Sequence, residues 1–417
     1  MIRTSVFWFL AAHVSLSALG FTPSFEGQRV DGRHSFTSSV ITSSRSILSS
    51  SADASFEKPK APPRTGIAQQ LLNFALESPL WKLILVPQAK AKIVSTAEAN
   101  GIPWASCKEW IRSNMKETPN IEAIEIPEYY RREFHAYEEG NLSWEAAWEV
   151  EIASAAVGAR NFPEYGCNGE DAFRGAFASA LSDGGAKIPD NALVVDLGCG
   201  SGMSTRRLAQ NFPAAKSIVG IDLSPYFIEV GKRLLQLEPK SFQEDGGTWV
   251  SSVSADDRIE YRVGNAAKTN LRDNSVDVVN LQFVLHELPD SAALEIVDEA
   301  FRILKPNGQL WISEMDFEAP AYAEQRANAL LFSLIRSTEP YLDVYAESIS
   351  DLFRYIQSKY ASTTVIPATG RHYALVATKG AAALGDEGGV MNDLRFNEDG
   401  TYKVEDTHLK VWESKTK

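Results

Sequence analysis

The rhythm of apolar and polar positions changes near Pro189. Downstream of it, short unbroken apolar runs alternate with stretches at helical spacing. Such runs are what strands buried on both faces look like, and the helical stretches between them are the layers that cover the sheet. The runs predict strands at 193–197, 217–222, 259–263, 276–281 and 309–313, with a last pair at 363–366 and 373–378. A helix beginning at about Met203 carries Leu208 and Ala209. A second carries Phe227, Ile228, Val230, Leu234 and Leu235, and a third Ala292, Leu294, Ile296, Val297, Ala300, Phe301 and Leu304. Pro306-Asn307-Gly308 predicts a turn into the fifth strand, and the polar stretch 239–257 reads as a surface insertion. Strands and helices in alternation predict an α/β domain over 186–380 with a mostly parallel sheet and helices on both faces.

Upstream, the pattern is helical. Leu71, Leu72, Phe74, Ala75, Leu80, Leu83 and Leu85 recur at helical spacing between Ile67 and Val94, with Pro79 and Pro87 dividing the stretch into short helices. Next comes an aromatic-dense region with Tyr129, Tyr130, Phe134, His135, Tyr137, Trp144 and Trp148. Gly140-Asn141 is a turn signal there, and Ser143 is placed to cap a helix. Residues 58–185 therefore read as an N-terminal helical extension. Its aromatic residues fit either a lid over a cofactor or the core of the extension itself. The insertion 319–360 likewise fits either a substrate cap or a helix pair that covers the sheet. The tail 381–417 contains a hairpin signal, Asn397-Glu398-Asp399-Gly400, between Leu394-Arg395-Phe396 and Tyr402-Lys403-Val404.

The first 57 residues stand apart. An apolar run from Val6 to Ala12, continued from Val14 to Leu19, suits a signal-peptide core over 1–20 and is too interrupted for a membrane span. Phe21 then opens a Ser-rich segment, 21–57, carrying Arg29, Arg33 and Arg45. The Pro-rich string Lys58 to Pro63 reads as a linker. This order resembles the bipartite presequence of algae with complex plastids and implies delivery to a plastid. Secretion with a disordered linker, or a single signal anchor, is the alternative. The mature protein is then expected to lack an integral membrane segment.

Composition narrows the partners. A formal net charge of -13 over 417 residues disfavours a broad electrostatic grip on nucleic acid. The three cysteines, Cys107, Cys167 and Cys199, have no metal-like spacing, so neither a disulfide framework nor a metal site is expected. Cys199 reads as a small residue in a turn.

The candidate chemistry lies where the first strand meets its helix. Gly198, Gly200 and Gly202 form a GxGxG turn preceded by Asp196. Glycines let a ligand approach the backbone and tolerate positive φ. A dinucleotide fingerprint would need its third glycine where Met203 stands. Asp222, ending the second strand, can accept hydrogen bonds from two ribose hydroxyls.

Residues 194–202 resemble motif I of class I methyltransferases, which use S-adenosylmethionine. Residues 220–224 resemble the acidic motif that follows it. Gly264-Asn265-Ala266 is similar to the adenine-contacting turn, with Asn265 where aspartate is commoner. Residues 299–308, ending in Arg302-Ile303-Leu304-Lys305-Pro306-Asn307-Gly308, resemble the family's R-x-L-K-P-G-G turn. The resemblance implies a Rossmann-like seven-stranded sheet and S-adenosyl-L-methionine as cofactor. It implies cofactor contacts at Asp196, Gly198, Gly200, Gly202, Asp222, Leu223, Asn265, Ala266 and Gln282. It also implies methyl transfer to a small, apolar or phenolic, quinone-like acceptor.

After the fourth strand the chain reads Asn280-Leu281-Gln282-Phe283-Val284-Leu285-His286-Glu287-Leu288, without the Pro-Pro pair of enzymes that methylate base or glutamine amines. His286 is a candidate base for a phenol, enol or carboxyl, with Glu287 orienting it or acting itself. Packing at a helix start is the other reading of His286. Two further functions share these motifs: cofactor binding without transfer, and a Rossmann oxidoreductase, which the missing GxGxxG disfavours.

Overall fold

The computed structural model describes residues 86–115, 125–135, 137–244, 247–251, 255–327, 339–382 and 388–403. The presequence, the linker, the helical stretch before Val86, residues 330–335 of the insertion and the tail from Val404 lie outside the described residues.

The N-terminal extension contributes α1 (Val86–Ala99), α2 (Trp104–Ser113), α3 (Trp144–Asn161) and α4 (Gly169–Asp183). Pro87 stands where a helix begins, and what precedes Val86 lies outside the described residues. This proline sits in the first turn of α1, where its missing N–H costs nothing. Ser143 caps α3 by accepting the Ala146 N–H at 3.2 Å. The α/β unit follows, with β1 (Ala192–Leu197), α5 (Met203–Asn211), β2 (Ala215–Asp222), α6 (Pro225–Leu234), β3 (Ser241–Glu244), β4 (Gly247–Val250), β5 (Ile259–Val263) and β6 (Val276–Gln282). It continues through α7 (Asp290–Ile303), β7 (Leu304–Met315), α8 (Pro320–Ala327), α9 (Leu342–Lys359), β8 (Ser362–Pro367), β9 (His372–Thr378) and β10 (Val390–Asp393).

The main sheet runs β10-β8-β9-β7-β6-β1-β2-β5. Strands β5, β2, β1, β6 and β7 are mutually parallel, and β9 enters antiparallel between β7 and β8. The sheet has eight strands rather than the expected seven. The eighth, β10, comes from the tail and pairs parallel with β8, so the tail covers what would otherwise be an open edge. The predicted turn at Pro306-Asn307-Gly308 lies within β7. Asn307 takes φ 65° there, and the β6–β7 register shifts between Val276 and Val278. The polar stretch 239–257 is not merely a surface insertion. Its hairpin β3–β4 buries Phe242 and Trp249, whose rings stack at 5.5 Å, and Trp110 of α2 packs edge-on to Phe242 at 5.8 Å.

Two apolar layers sandwich the sheet. One joins Leu197, Ile221 and Leu281 to α7 and α9 through Ile296, Val297, Ile349 and Ile356. The other joins Val194, Ile218, Val278 and Trp311 to α4 through Phe173, Phe177 and Leu181. A third cluster seats α1, α2 and α3 on Phe227, Val230 and Leu234 of α6. Both faces are therefore filled with side chains, and the carboxyl ends of the parallel strands are where a ligand is expected to sit. Asp196 stands level with Gly220 and Asn280, and Gln282 with Ser313, so the strand tips reach one common edge. Among the described residues no helix is long and apolar enough to cross a membrane.

Candidate functional site

A cavity opens at that edge. Gly198, Cys199, Gly200 and Ser201 of the β1–α5 turn line it, with Asp222 and Leu223 after β2, Asn265 and Ala266 after β5, and Gln282, Phe283 and Val284 after β6. The turn bends because Gly198, Gly200 and Gly202 take φ of 72°, 57° and 91°. The Gly198 and Cys199 N–H groups both donate to the Ile221 carbonyl, at 2.8 and 3.2 Å, which pins the turn to β2.

The outer glycines of the GxG pair do different things. A β-carbon on Gly202 would lie 1.9 Å from the Tyr261 hydroxyl, so this glycine answers a packing demand, and it does not line the cavity. A β-carbon on Gly200 would meet no protein atom within 4 Å. Its bare face is open to the cavity.

The two aspartates also part. Asp196 is fully buried and accepts from Ser204 Oγ at 2.7 Å, Thr205 Oγ1 at 2.6 Å and Asn280 Nδ2 at 2.7 Å. Asp196, expected as a cofactor contact, does not line the cavity. Its carboxylate is spent on tying β1 to α5 and β6. Asp222 does line the cavity. Its Oδ2 accepts from the Gly200 N–H at 2.9 Å, and its Oδ1 from the Ser224 N–H at 2.8 Å and the Tyr130 hydroxyl at 3.3 Å. Burial pushes its carboxyl above the usual range, against the pull of those donors.

Of the two readings of His286, the geometry favours the packed, hydrogen-bonded one. His286 is buried and does not line the cavity. Its Nδ1 sits 2.9 Å from both oxygens of Glu314 at the end of β7, and its Nε2 faces Glu287 Oε1 at 4.0 Å. Burial pulls its pKa down, but the Glu314 charge outweighs this and lifts it to about 9. Glu287 is the member of the pair that lines the cavity. Its Oε2 accepts from Asn141 Nδ2 at 3.4 Å, and its Oε1 lies 3.9 Å from His135 Nε2. Burial pushes its carboxyl up to about 8.

The N-terminal extension divides between the two readings. Tyr129, Tyr130 and Phe134 line the cavity. Trp144 and Trp148 stack at 5.7 Å and pack against Tyr226, so they belong to the extension's core, as does Tyr137, whose hydroxyl donates to Glu149 at 2.8 Å. Ser224 links extension to domain: its Oγ donates to the Asn141 carbonyl at 2.7 Å while it caps α6 by accepting the Phe227 N–H. Buried Arg206 donates to the Ser201 carbonyl at 2.9 Å and pairs with Glu151 of α3. None of the described residues of the insertion 319–360 lines the cavity. Tyr345, Ile349 and Ile356 pack instead into the layer under α7.

Several residues were invisible to pattern. Arg174 of α4 donates to the Gln282 side chain and pairs with Glu170 at 2.7 Å, and all three line the cavity. Phe283 takes φ 58°, a strained value for a residue with a β-carbon, and its ring packs with Phe173 at 5.2 Å and His372 at 5.6 Å. Only Glu314 carried a signal, as an acid at a parallel strand's carboxyl end.

The residues present fit an adenosyl ligand. Ser201 Oγ and Asn141 Oδ1 are buried at the cavity and have no hydrogen-bond partner among the described residues. Together with the Asp222 carboxylate and the open face of Gly200, they form a polar cradle beside an apolar floor at Leu223 and Ala266.

Residues 195–312 match the family model described as a methyltransferase domain. A demethylmenaquinone methyltransferase of Lactiplantibacillus plantarum is 31% identical over 123 residues, 30% of this chain and 45% of the relative. An arsenite methyltransferase of Aquipseudomonas alcaligenes is 30% identical over 168 residues, covering 40% and 41% of the two chains. A mitochondrial 2-methoxy-6-polyprenyl-1,4-benzoquinol methylase of Caenorhabditis elegans is 30% identical over 131 residues, 31% and 40%. The chain thus spans less than half the length of each of these relatives. Among solved structures, an O-methyltransferase family protein from Burkholderia thailandensis aligns at TM-score 0.35 and 19% identity, over 56% of this chain and 60% of that one. The matched segment is thus similar to a methyltransferase domain, and the polar cradle above suits S-adenosylmethionine as its cofactor.

Proposed function

We propose that this protein transfers a methyl group from S-adenosylmethionine to a small, planar, largely apolar acceptor of the phenol or quinol class. The observation that carries the reading is the two-part character of one cavity. One part is the polar cradle of Gly200, Ser201 and Asp222. The other is an aromatic wall of Tyr129, Phe134, Phe162, Phe173 and Phe283. The cradle suits ribose and amino-acid groups, and the wall suits the face of a ring. Bound there, the cofactor supplies an electrophilic methyl on a sulfonium, whose carbon–sulfur bond breaks with its electron pair left on sulfur. The chain's own contribution is to hold both partners in line and keep water out. Asp222 and Gly200 would hold the ribose end, and Asn265 and Ala266 would border the base.

Similarity to an arsenite methyltransferase raises a thiophilic acceptor as a second possibility. Two of the three cysteines argue against it, while Cys167 is half-buried. Cys107 is buried in the core of the helical extension, and burial pushes the Cys199 thiol far up, away from the thiolate that a soft ion needs. Delivery to a plastid stays part of the proposal, resting on the order of apolar and Ser/Arg-rich segments before Lys58. A fluorescent fusion to the first 57 residues tests it, and export from the cell would refute it.

The activity test uses methyl-labelled S-adenosylmethionine with phenols and quinols, peptides and nucleic acid as separate acceptors. Label in the phenol or quinol fraction is expected. Cofactor binding with no label in any fraction would leave a binding protein without transfer, and label in peptide or nucleic acid would overturn the acceptor class.

A further inference from the structure

Beneath the cavity lies a chain of buried ionisable groups that binding of the cofactor does not use. It runs from Glu287 at the cavity surface to His286 behind it and Glu314 behind that, with Glu339 alongside. His135 and Asn141 approach Glu287 from the N-terminal segment. Of these, Glu287 and Asn141 line the cavity. His286, which sequence reasoning puts forward as the base, has its Nδ1 committed to Glu314 and its Nε2 turned to Glu287. Of this chain of groups, the Glu287 carboxyl is therefore the one that a proton leaving an acceptor in the cavity can reach.

We propose that Glu287 is the catalytic base, taking the proton of an acceptor hydroxyl, and that the His286–Glu314 pair beneath is its positioning and tuning element. The inference rests on the methyltransferase reading above and deepens it, because it requires an acceptor whose methylated atom bears an ionisable proton. As the O–H bond breaks, its proton passes to a Glu287 oxygen. The electron pair left on the acceptor oxygen forms the new bond to carbon, and the carboxyl later releases its proton to water.

The surroundings suit that task. A base works best when its pKa lies near the working pH. Facing Glu287 are His286 on its own segment, Glu314 of β7, Glu339 before α9, Asp222 of β2, and His135, Asn141 and Tyr130 of the extension. Burial raises the Glu287 pKa most. His286 pulls it down, and Glu339, Asp222 and Glu314 push it up again, with the balance at about 8. Burial drives His135 well below the usual histidine range, so it stands neutral beside the carboxyl. The base form of Glu287 thus grows as pH rises through about 8.

The test uses the full chain and two variants, Glu287→Gln and His286→Asn. S-adenosylhomocysteine binding by calorimetry comes first. Both variants are expected to bind within about twofold of the wild type. A loss of tenfold or more in Glu287→Gln would mark Glu287 as a cofactor ligand and overturn the proposal. Difference infrared spectroscopy then follows the carbonyl band of a protonated carboxylic acid, which needs no acceptor. A band that disappears through about pH 8 and is missing from Glu287→Gln is expected, and its absence from the wild type refutes the assignment. With naphthohydroquinone as methyl acceptor, Glu287→Gln should lose roughly 100-fold or more in turnover at unchanged KM for the cofactor. His286→Asn should move the pH midpoint upward, since it removes the charge that lowers the Glu287 pKa. Unchanged turnover in Glu287→Gln overturns the inference alone, while failure of the wild type to bind S-adenosylhomocysteine at all overturns the underlying reading.

Discussion

Two glycines two residues apart should fail in different ways when given one methyl group. Gly200 and Gly202 both hold positive φ, 57° and 91°. An alanine at either site bears the left-handed penalty, roughly 1–2 kcal/mol. At Gly202 the new carbon would also sit 1.9 Å from the Tyr261 hydroxyl oxygen and 2.2 Å from its Cζ. Tyr261 is buried, and its hydroxyl donates to the Gly202 carbonyl at 3.2 Å, so the ring has little room to retreat. Overpacking of that kind adds about 1–3 kcal/mol, for a total of roughly 2–5 kcal/mol. That is a large part of a domain's stability of about 5–15 kcal/mol. At Gly200 nothing stands within 4 Å of the new carbon, so stability falls only by the backbone term. The carbon enters the cofactor cradle instead, where about 1–3 kcal/mol of steric conflict weakens binding roughly 5- to 150-fold. Urea unfolding and calorimetric titration with S-adenosylhomocysteine read the two effects separately. Equal losses of stability in Gly200→Ala and Gly202→Ala, or wild-type affinity in Gly200→Ala, would refute the account of the turn.

Asp222→Asn sets an amide N–H against the Gly200 or Ser224 N–H, so stability should fall by about 1–3 kcal/mol, and the loss of charge-assisted bonds worth about 1.5–3 kcal/mol should weaken cofactor binding roughly 10- to 150-fold; titration calorimetry decides the second point, and an affinity change under twofold would remove Asp222 from the site. Glu151→Gln should cost about 3–5 kcal/mol in urea unfolding, because Arg206 is left charged and buried beneath the Ser201 carbonyl; a cost under about 1 kcal/mol would show the pair to be dispensable. The folded-state pKa of His286 lies above its ordinary value, so the stability it contributes is full below about 6.5 and is lost as pH rises through about 9. Thermal melts should therefore fall across that window in the wild type and fall less steeply in His286→Asn, and parallel curves would count against the His286–Glu314 pair. Arg395→Met strands the buried Asp316 carboxylate, which Arg395 meets at 3.0 Å and the Tyr402 hydroxyl at 2.8 Å; protease cleavage of the tail before global unfolding is the expected result, and equal resistance would show that this anchor does not hold the tail down.

The parallel sheet, its order of strands and helices, and the glycine turn were legible in the chain because each is written in local chemistry. The short, valine-rich runs at 193–197 and 276–281 read as buried strands, and three glycines in five residues mark a backbone with positive φ. Asp222 was legible too, since it ends a strand whose tip must face the ligand edge. What a side chain does once it reaches that edge was not. Asp196 and Asp222 look alike in sequence, yet three donors on α5 and β6 consume the first and leave the second at the cavity. His286 looks like the base, with Glu287 orienting it or acting itself, and the sequence does not show that Glu314, 28 residues on, engages the imidazole while the Glu287 carboxyl lines the cavity. Tyr130 and Asn141 come from a segment outside the matched domain and reach Asp222 and Glu287 only because α3 seats the extension on α6. Sequence thus determined which strands form and where their ends point, because neighbours in the chain decide backbone conformation and burial pattern. Only the tertiary structure decided which polar groups remain open to a ligand, because hydrogen bonds and charges that arrive from distant segments consume the rest.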